Sequence, residues 1–245
     1  MRRIRIGQSV EGRSIEAVVA TGHAANPWAT PLTPPTSPRK CGERGSRKVS
    51  ASGRTILVLG GFHGDEPKSV FVAQRLVQAL GDGRSGTSHA RWVVVPLVNP
   101  DGYARRKRRN ARGVDLNRNF PTKNWKQTSP RSRMFGGPSP ASEPETRVVI
   151  SVIERFQPDV IVTIHSISGE RHCNNYDGPG RWIAEKMSRH NGYPVTASIG
   201  YPTPGSFGTW AGRERGIATI TLELPSLHSR RRCWCDNEAS LLALA

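Results

Sequence analysis

Unbroken apolar runs and helical periodicities alternate along most of this chain, and they predict elements in a strand, helix, strand order. Thr55 to Leu59 is a short apolar run that reads as a buried strand. After it Val70, Ala73, Leu76, Val77 and Leu80 recur at helical spacing, and Gly81 with Gly83 marks the stop. Trp92 to Asn99 is a second strand. Ser142-Glu143-Pro144-Glu145 predicts a helix start, with Ser142 as N-cap and Glu145 completing a capping box. Val149, Val152, Ile153 and Phe156 form that helix's apolar stripe, and Pro158 closes it before a strand from Asp159 to His165. A helix over 181–191 with Gly192 as its stop, a buried strand from Ala218 to Leu224 and a last helix over 237–245 complete the pattern. Residues 4–20 alternate loosely around Glu11-Gly12-Arg13, as in a hairpin at a sheet edge. The stretch from Asn99 to Trp125 has no core periodicity and is expected to lie as loops above the sheet. Strands joined through helices pair in parallel and carry helices on both faces, so the expected class is α/β.

Composition changes this picture in one place. A chain of 245 residues holds one large domain, but with 36% hydrophobic residues and a mean hydropathy of −0.51 part of it should lie outside the core. That part is 22–54, where Pro27, Pro31, Pro34, Pro35 and Pro38 stand among Ser, Thr, Lys and Arg. We read it as a mobile insertion in a single domain spanning 1–245, because the residues before it are too few to fold alone.

A formal charge of +17 makes anionic partners worth weighing. Eleven Lys or Arg and a single acid, Asp115, occupy the stretch from Gly102 to Arg133. A solvated basic face accounts for such a strip, and polyanion binding is the sharper alternative. The four cysteines have neither zinc-ribbon nor thioredoxin spacing and are expected as free thiols. No run approaches the roughly 18 apolar residues of a membrane span, and the basic start lacks a signal peptide's apolar core, so a cytoplasmic protein is expected.

The chemistry concentrates at strand ends. His63 and Glu66 lie on the glycine-rich turn between the first central strand and its helix, where side chains three apart project to one side and could share a metal ion. A catalytic zinc takes three protein ligands, and His165, ending the strand from Asp159, is the candidate third. Glu223 is an acid within an apolar strand. It either pairs with one of the many arginines or serves a metal-activated water as proton acceptor. Asp65 and Asp115 are better placed to orient ligands than to be ligands. His172 and Cys173 are adjacent and so are not expected to share an ion, and His23, His89, His190 and His228 lie in polar segments without partner spacing and are expected at the surface.

Several of these residues belong to longer motifs. Beside His63-x-x-Glu66 stand Asn99-Pro100-Asp101-Gly102, the run from Gly113 to Pro121, Ser142-Glu143-Pro144-Glu145-Thr146, Ile164-His165-Ser166 and Thr221-Leu222-Glu223-Leu224. In this order they resemble the zinc carboxypeptidases, and Asn174 to Pro179 with Tyr201 to Ser206 look most like their small bacterial murein peptide amidase branch. The resemblance implies a mixed, mostly parallel sheet of about eight strands with helices on both faces, and one zinc ion per chain held by His63, Glu66 and His165. Glu223 would be general base and acid, and Arg108 the arginine at the scissile carbonyl, a role that a slip of one residue would hand to Arg109. Asn117 and Arg118 would hold a terminal carboxylate, and Tyr201 would close over the substrate.

The implied function is that of a monomeric zinc metallocarboxypeptidase acting on a peptide with a free carboxylate. For the murein branch that peptide carries γ-D-glutamyl-diaminopimelate and is cut during cell-wall recycling, without membrane or specific nucleic-acid partners. Two rivals are a zinc deacylase of the aspartoacylase type, against which the Asn99–Gly102 and Ser142–Thr146 motifs argue, and a non-catalytic basic protein that binds polyanions.

Overall fold

The computed structural model describes residues 1–21, 53–84 and 90–245. The expected insertion therefore falls outside the described residues apart from its last two positions. The hairpin at the amino terminus forms from β1 (Arg2–Gln8) and β2 (Ser14–Thr21). Then follow β3 (Thr55–Leu59), α1 (Pro67–Gly81), β4 (Arg91–Val95), α2 (Pro100–Arg105), α3 (Pro144–Phe156) and β5 (Val160–Ile167). The last third adds β6 (Cys173–Asp177), α4 (Arg181–Asn191), β7 (Val195–Thr196), β8 (Ala218–Pro225) and α5 (Arg230–Leu242).

These strands make one eight-stranded sheet in the order β1-β2-β4-β3-β5-β8-β6-β7. Its centre, β4-β3-β5-β8, is parallel, as helical crossovers require, and the edges bring in antiparallel pairs. Alternate residues of β3, β4 and β5 enter different cores. Ile56, Val58, Val162, Ile164 and Leu222 pack with Leu76 of α1, Met187 of α4 and Leu241 of α5. Leu57, Leu59, Val93 and Ile161 pack on the other face with Val149, Val152 and Phe156 of α3 and with Phe120, Phe207 and Trp210. Both faces are thus covered. Truncating a fully buried strand residue such as Leu57 to Ala would cost about 2–5 kcal/mol.

Four local expectations need correction. β4 ends at Val95 rather than Asn99: Gly60 N–H donates to the Val95 carbonyl at 2.9 Å, and Pro96, with no N–H, cannot donate onward. The stretch after it is not all loop: Pro100 opens α2, and the Asn99 side chain caps it by accepting from Gly102 N–H. The N-cap of α3 is Glu143, not Ser142, and Pro144 takes the first turn. Finally α5 starts at Arg230, seven residues before the expected helix, with Ser229 accepting from Arg232 N–H as its cap. Its buried side includes Asn237 and Ser240, so no apolar stripe announced it.

Candidate active site

β3 delivers the chain to its carboxyl edge, and two close approaches shape the turn beyond it. A Cβ on Gly60 would sit 2.8 Å from the Pro96 carbonyl oxygen, and one on Gly64 would collide with the backbone of Gly102 in α2. With no side chains there, the turn nestles against α2 and brings His63 and Glu66 under the start of α1. On the neighbouring parallel strands His165 stands in register with Glu223.

Three donors converge. His63 Nδ1 lies 2.7 Å from Glu66 Oε1, and His165 Nδ1 lies 3.2 Å from both His63 Nδ1 and Glu66 Oε2. All three residues are buried, and among the described residues they are the one group of His, Cys, Asp or Glu with metal-ligand spacing. Two imidazole nitrogens that face each other and a carboxylate, instead of each taking a separate partner, suit a shared cation. An N, N, O set is one that zinc accepts. Behind His63, its Nε2 meets Asp115 Oδ1 at 3.1 Å, a carboxylate backing that fixes the ring and makes Nδ1 the outward nitrogen. Phe62 stacks on His165 with ring centroids 5.7 Å apart.

The electrostatics agree with a cation site. Burial alone would lower the His63 pKa, but Glu66 and Asp115 outweigh it and raise it to about 9. Burial would raise the Glu66 and Asp115 carboxyls, yet His63 and His165 hold Glu66, and His63 with Arg108 and Arg118 holds Asp115, well below the usual carboxylate range. On Glu223 the nearby His63, Arg108 and Arg118 charges act in the same lowering sense but are outweighed. Burial, with the Glu66 charge added, pushes it up to about 8.

The arginines separate by orientation. Arg108 lines the cleft, with Nε donating to Asp115 Oδ2 at 3.1 Å and Nη1 lying 3.5 Å from Glu66 Oε1. Arg109 turns away and donates to the carbonyls of Gly113, Pro130 and Ser132. The structure therefore puts Arg108, not Arg109, at the donor cluster. Other members of the basic strip are also engaged with acids, Arg105 with Glu11 and Arg112 with Glu143. The strip is not one continuous free face.

Asn117 and Arg118 sit on a 3₁₀ turn, Leu116–Arg118, whose start Asp115 caps by accepting from Asn117 N–H. Asn117 Oδ1 accepts from Phe207 N–H at 2.9 Å, which leaves the amide's NH2 side to donate. Gly136 and Gly205 both press on the Arg118 carbonyl, where any Cβ would collide. The guanidinium is buried, with its Nε unpartnered, and burial lowers its pKa. Tyr201 stands exposed at the cleft's mouth, within electrostatic reach of Arg118. Together His63, Glu66, His165, Glu223, Arg108, Asn117, Arg118 and Tyr201 line one cleft of about 370 Å³.

Other sequence candidates lie elsewhere. Asp65 is exposed, and of the two acids expected to orient ligands, only Asp115 touches one. His172 bonds the Glu170 carbonyl and packs on Tyr193. His228 is partly buried and paired with Glu170 and Asp236. His23 and His89 fall outside the described residues, as does Cys41, and the other three cysteines are free. The remaining motif acids wire the loops together. Asp101 accepts from Ser9 Oγ and Glu11 N–H in the β1–β2 turn, while Glu143 and Glu145 both accept from the Asn110 amide. Sequence reading missed Asn175, Asp177 and Arg213, which line the same cleft. Two of them lie in the Asn174–Pro179 motif, a signal that was present without a chemical meaning.

A family model described as zinc carboxypeptidase matches residues 1–177. The murein peptide amidase A of Escherichia coli K12 is 37% identical over 195 residues, covering 74% of this chain and 75% of that protein. That of Vibrio campbellii is 31% identical over 182 residues, covering 70% and 69%. Among solved structures, the murein-tripeptide amidase MpaA from Escherichia coli O157 superposes with a TM-score of 0.69 at 27% identity, over 100% of this chain and 91% of the other. Carboxypeptidase A from Helicoverpa armigera, at 20% identity, shares the fold with a TM-score of 0.74 over 99% of this chain and 66% of its own.

Proposed function

The chain belongs to the zinc carboxypeptidase family and is a metallopeptidase, and from that premise we propose that it cleaves the amide bond before a residue with a free carboxylate in a murein peptide, between γ-D-glutamate and diaminopimelate. The observation that carries the reading is the register of His165 with Glu223. It sets a proton-accepting carboxylate beside the converging His63, Glu66 and His165.

His63, Glu66 and His165 are the residues that would hold the zinc. When bound, the ion supplies a Lewis acid for the carbonyl and for an attacking water. Glu223 accepts the water's proton and returns it to the departing amine, a role open to a carboxylate that lines the cleft in register with His165. Arg108 is anchored through Nε on Asp115 and keeps its Nη groups toward the donor cluster, from where they donate to the carbonyl oxygen as it gains charge. Arg118, whose planar fork matches a carboxylate, and the Asn117 amide hold the terminal carboxylate and so orient the scissile bond. Tyr201 covers the open side.

The substrate choice within the family is supported by the two murein peptide amidases and by the motifs shared with that branch. The protein, incubated with zinc and a panel of free peptides, should release diaminopimelate from L-Ala-γ-D-Glu-diaminopimelate, with the cut bond read by mass spectrometry. Cleavage of ordinary α-peptides with the murein peptide left intact would overturn the substrate assignment.

A further inference from the structure

We propose that His228, when protonated, clasps two carboxylates and so holds the loop from Ser168 to His172 in place at the cleft, a positioning role that weakens as pH rises and that rests on the reading that peptide substrate occupies this cleft. The loop joins β5 to β6, and two of its residues, Ser168 and Arg171, line the cleft with His63, Glu66 and His165. No residue from Ser168 to His172 is fully buried. A segment with so little apolar burial opens locally at small cost, and polar ties must keep it in place.

Most of those ties run to the segment between β8 and α5. Gly169 N–H donates to Ser226 Oγ at 2.8 Å, and Leu227 N–H reaches the Gly169 carbonyl at 3.4 Å. Next along the loop, Glu170 Oε2 lies 3.0 Å from His228 Nε2. The other ring nitrogen, Nδ1, is shut off from water and lies 3.4 Å from Asp236 Oδ2 on α5, too poorly aimed for a hydrogen bond but within ion-pair reach. His228 is thus the one side chain seen to join an acid of the loop to an acid of α5 among the described residues.

Both nitrogens of the ring face carboxylate oxygens. A neutral imidazole has one N–H and no charge, so it would turn a lone pair toward one of the two acids, whereas the imidazolium offers each of them an N–H and a positive charge. Other charged groups stand nearby. Arg232 lies 3.7 Å from Asp236 Oδ2 on the same helix, Lys68 of α1 donates to the Ser226 carbonyl, and Arg171 in the loop donates to the Ser168 carbonyl. They temper the attraction between ring and acids without replacing it, since none of these contacts ties the loop to α5.

A merely structural side chain at this position would hold the loop equally at any pH. The clasp instead exists only while the ring carries its second proton, and histidine is the side chain whose charge changes between about pH 5 and 8. Its contribution is therefore present at the acid end of that range and lost as pH rises. The Glu170 side chain is 67% exposed, so solvent screens that half of the clasp and keeps the effect to a few-fold.

The test sets the zinc-loaded parent beside His228→Gln and Glu170→Gln at about pH 6 and about pH 8.5, toward either end of the histidine range. Backbone hydrogen exchange of the loop is read by mass spectrometry as the ratio of variant to parent at each pH, which cancels the intrinsic pH dependence of exchange. At the lower pH the loop should exchange about two- to fivefold faster in both variants, the size expected of a partly exposed ion pair. At the higher pH parent and variants should agree. KM, for whichever peptide of the panel is cut, should follow the same ratios while kcat stays unchanged. Should His228→Gln fail to fold, Glu170→Gln, altered at an exposed acid, carries the test. A gap of equal size at both pH values would make His228 a plain structural residue and overturn the proposal. So would no gap at the lower pH, or a gap in exchange with KM unmoved. Exchange needs no substrate, so a pH-dependent gap in a protein that cuts ordinary peptides and leaves the murein peptide intact would sink the substrate assignment and leave the clasp.

Discussion

His63 Nε2 and Asp115 Oδ1 are hydrogen-bonded at 3.1 Å across 52 residues of chain. The same carboxylate anchors Arg108 Nε and caps the turn that carries Asn117 and Arg118. One buried acid thus orients His63, Arg108 and the turn that carries Asn117 and Arg118. Asp115→Asn should weaken zinc binding by about 10–100-fold, because the amide no longer holds the imidazole as a carboxylate does. His165→Ala, which removes a donor outright, should lose stoichiometric zinc. Competition against a chelator measures both, and an Asp115→Asn protein with parental affinity would leave Asp115 a purely structural acid.

Replacing Glu223 by Gln preserves shape but removes the proton acceptor. The variant should fold and retain zinc while its turnover falls by about 10²–10⁴-fold. Steady-state rates beside metal analysis check this. Near-parental turnover with full zinc would move the proton role to another residue.

The buried Arg118 guanidinium predicts a strict need for a charged carboxylate. Amidating that group leaves the guanidinium facing a neutral amide, at a cost of about 2–5 kcal/mol in a desolvated site. Specificity, as kcat/KM, should drop more than tenfold, and Arg118→Ala should erase the preference without loss of zinc. Equal hydrolysis of acid and amide would end the exopeptidase reading.

Glu145 predicts a pH effect on stability remote from the chemistry. Burial raises its pKa, with the Glu143 charge adding to it, against hydrogen bonds from backbone N–H groups and Asn110 that oppose the shift. A carboxyl raised in the folded state contributes stability below its unfolded value and loses it as pH climbs through the folded one. The melting temperature of the parent should therefore exceed that of Glu145→Gln most at low pH. The gap should narrow as pH rises from about 4.5, the ordinary glutamate value. A gap that widens with pH would mean that the ionised form is the stabilising one.

The sequence by itself determined the elements whose signal is periodic and local. β3, β5 and β8 were legible because strands buried on both faces are unbroken apolar runs, and α1 and α4 because an apolar stripe ends at a glycine. That His63, Glu66 and His165 would converge was legible from the three-residue spacing on the turn after β3 and from a histidine near the end of the apolar run of β5. Strand β6, between β8 and the edge strand β7, and the first two turns of α5 were not legible: Cys173–Asp177 is polar, and α5 buries Asn237 and Ser240 rather than presenting an apolar stripe. The choice between Arg108 and Arg109 also lay beyond the sequence. Adjacent arginines are chemically identical, and only the packing of α2 against the metal turn sends one to Asp115 and the other to carbonyls. The same holds for Asp177 and Arg213, which stand 36 residues apart and meet because glycines let a π-helical turn press on a strand end. Local pattern encodes what each segment buries, whereas the pairing of side chains across segments is decided when the sheet closes and brings their backbones into contact.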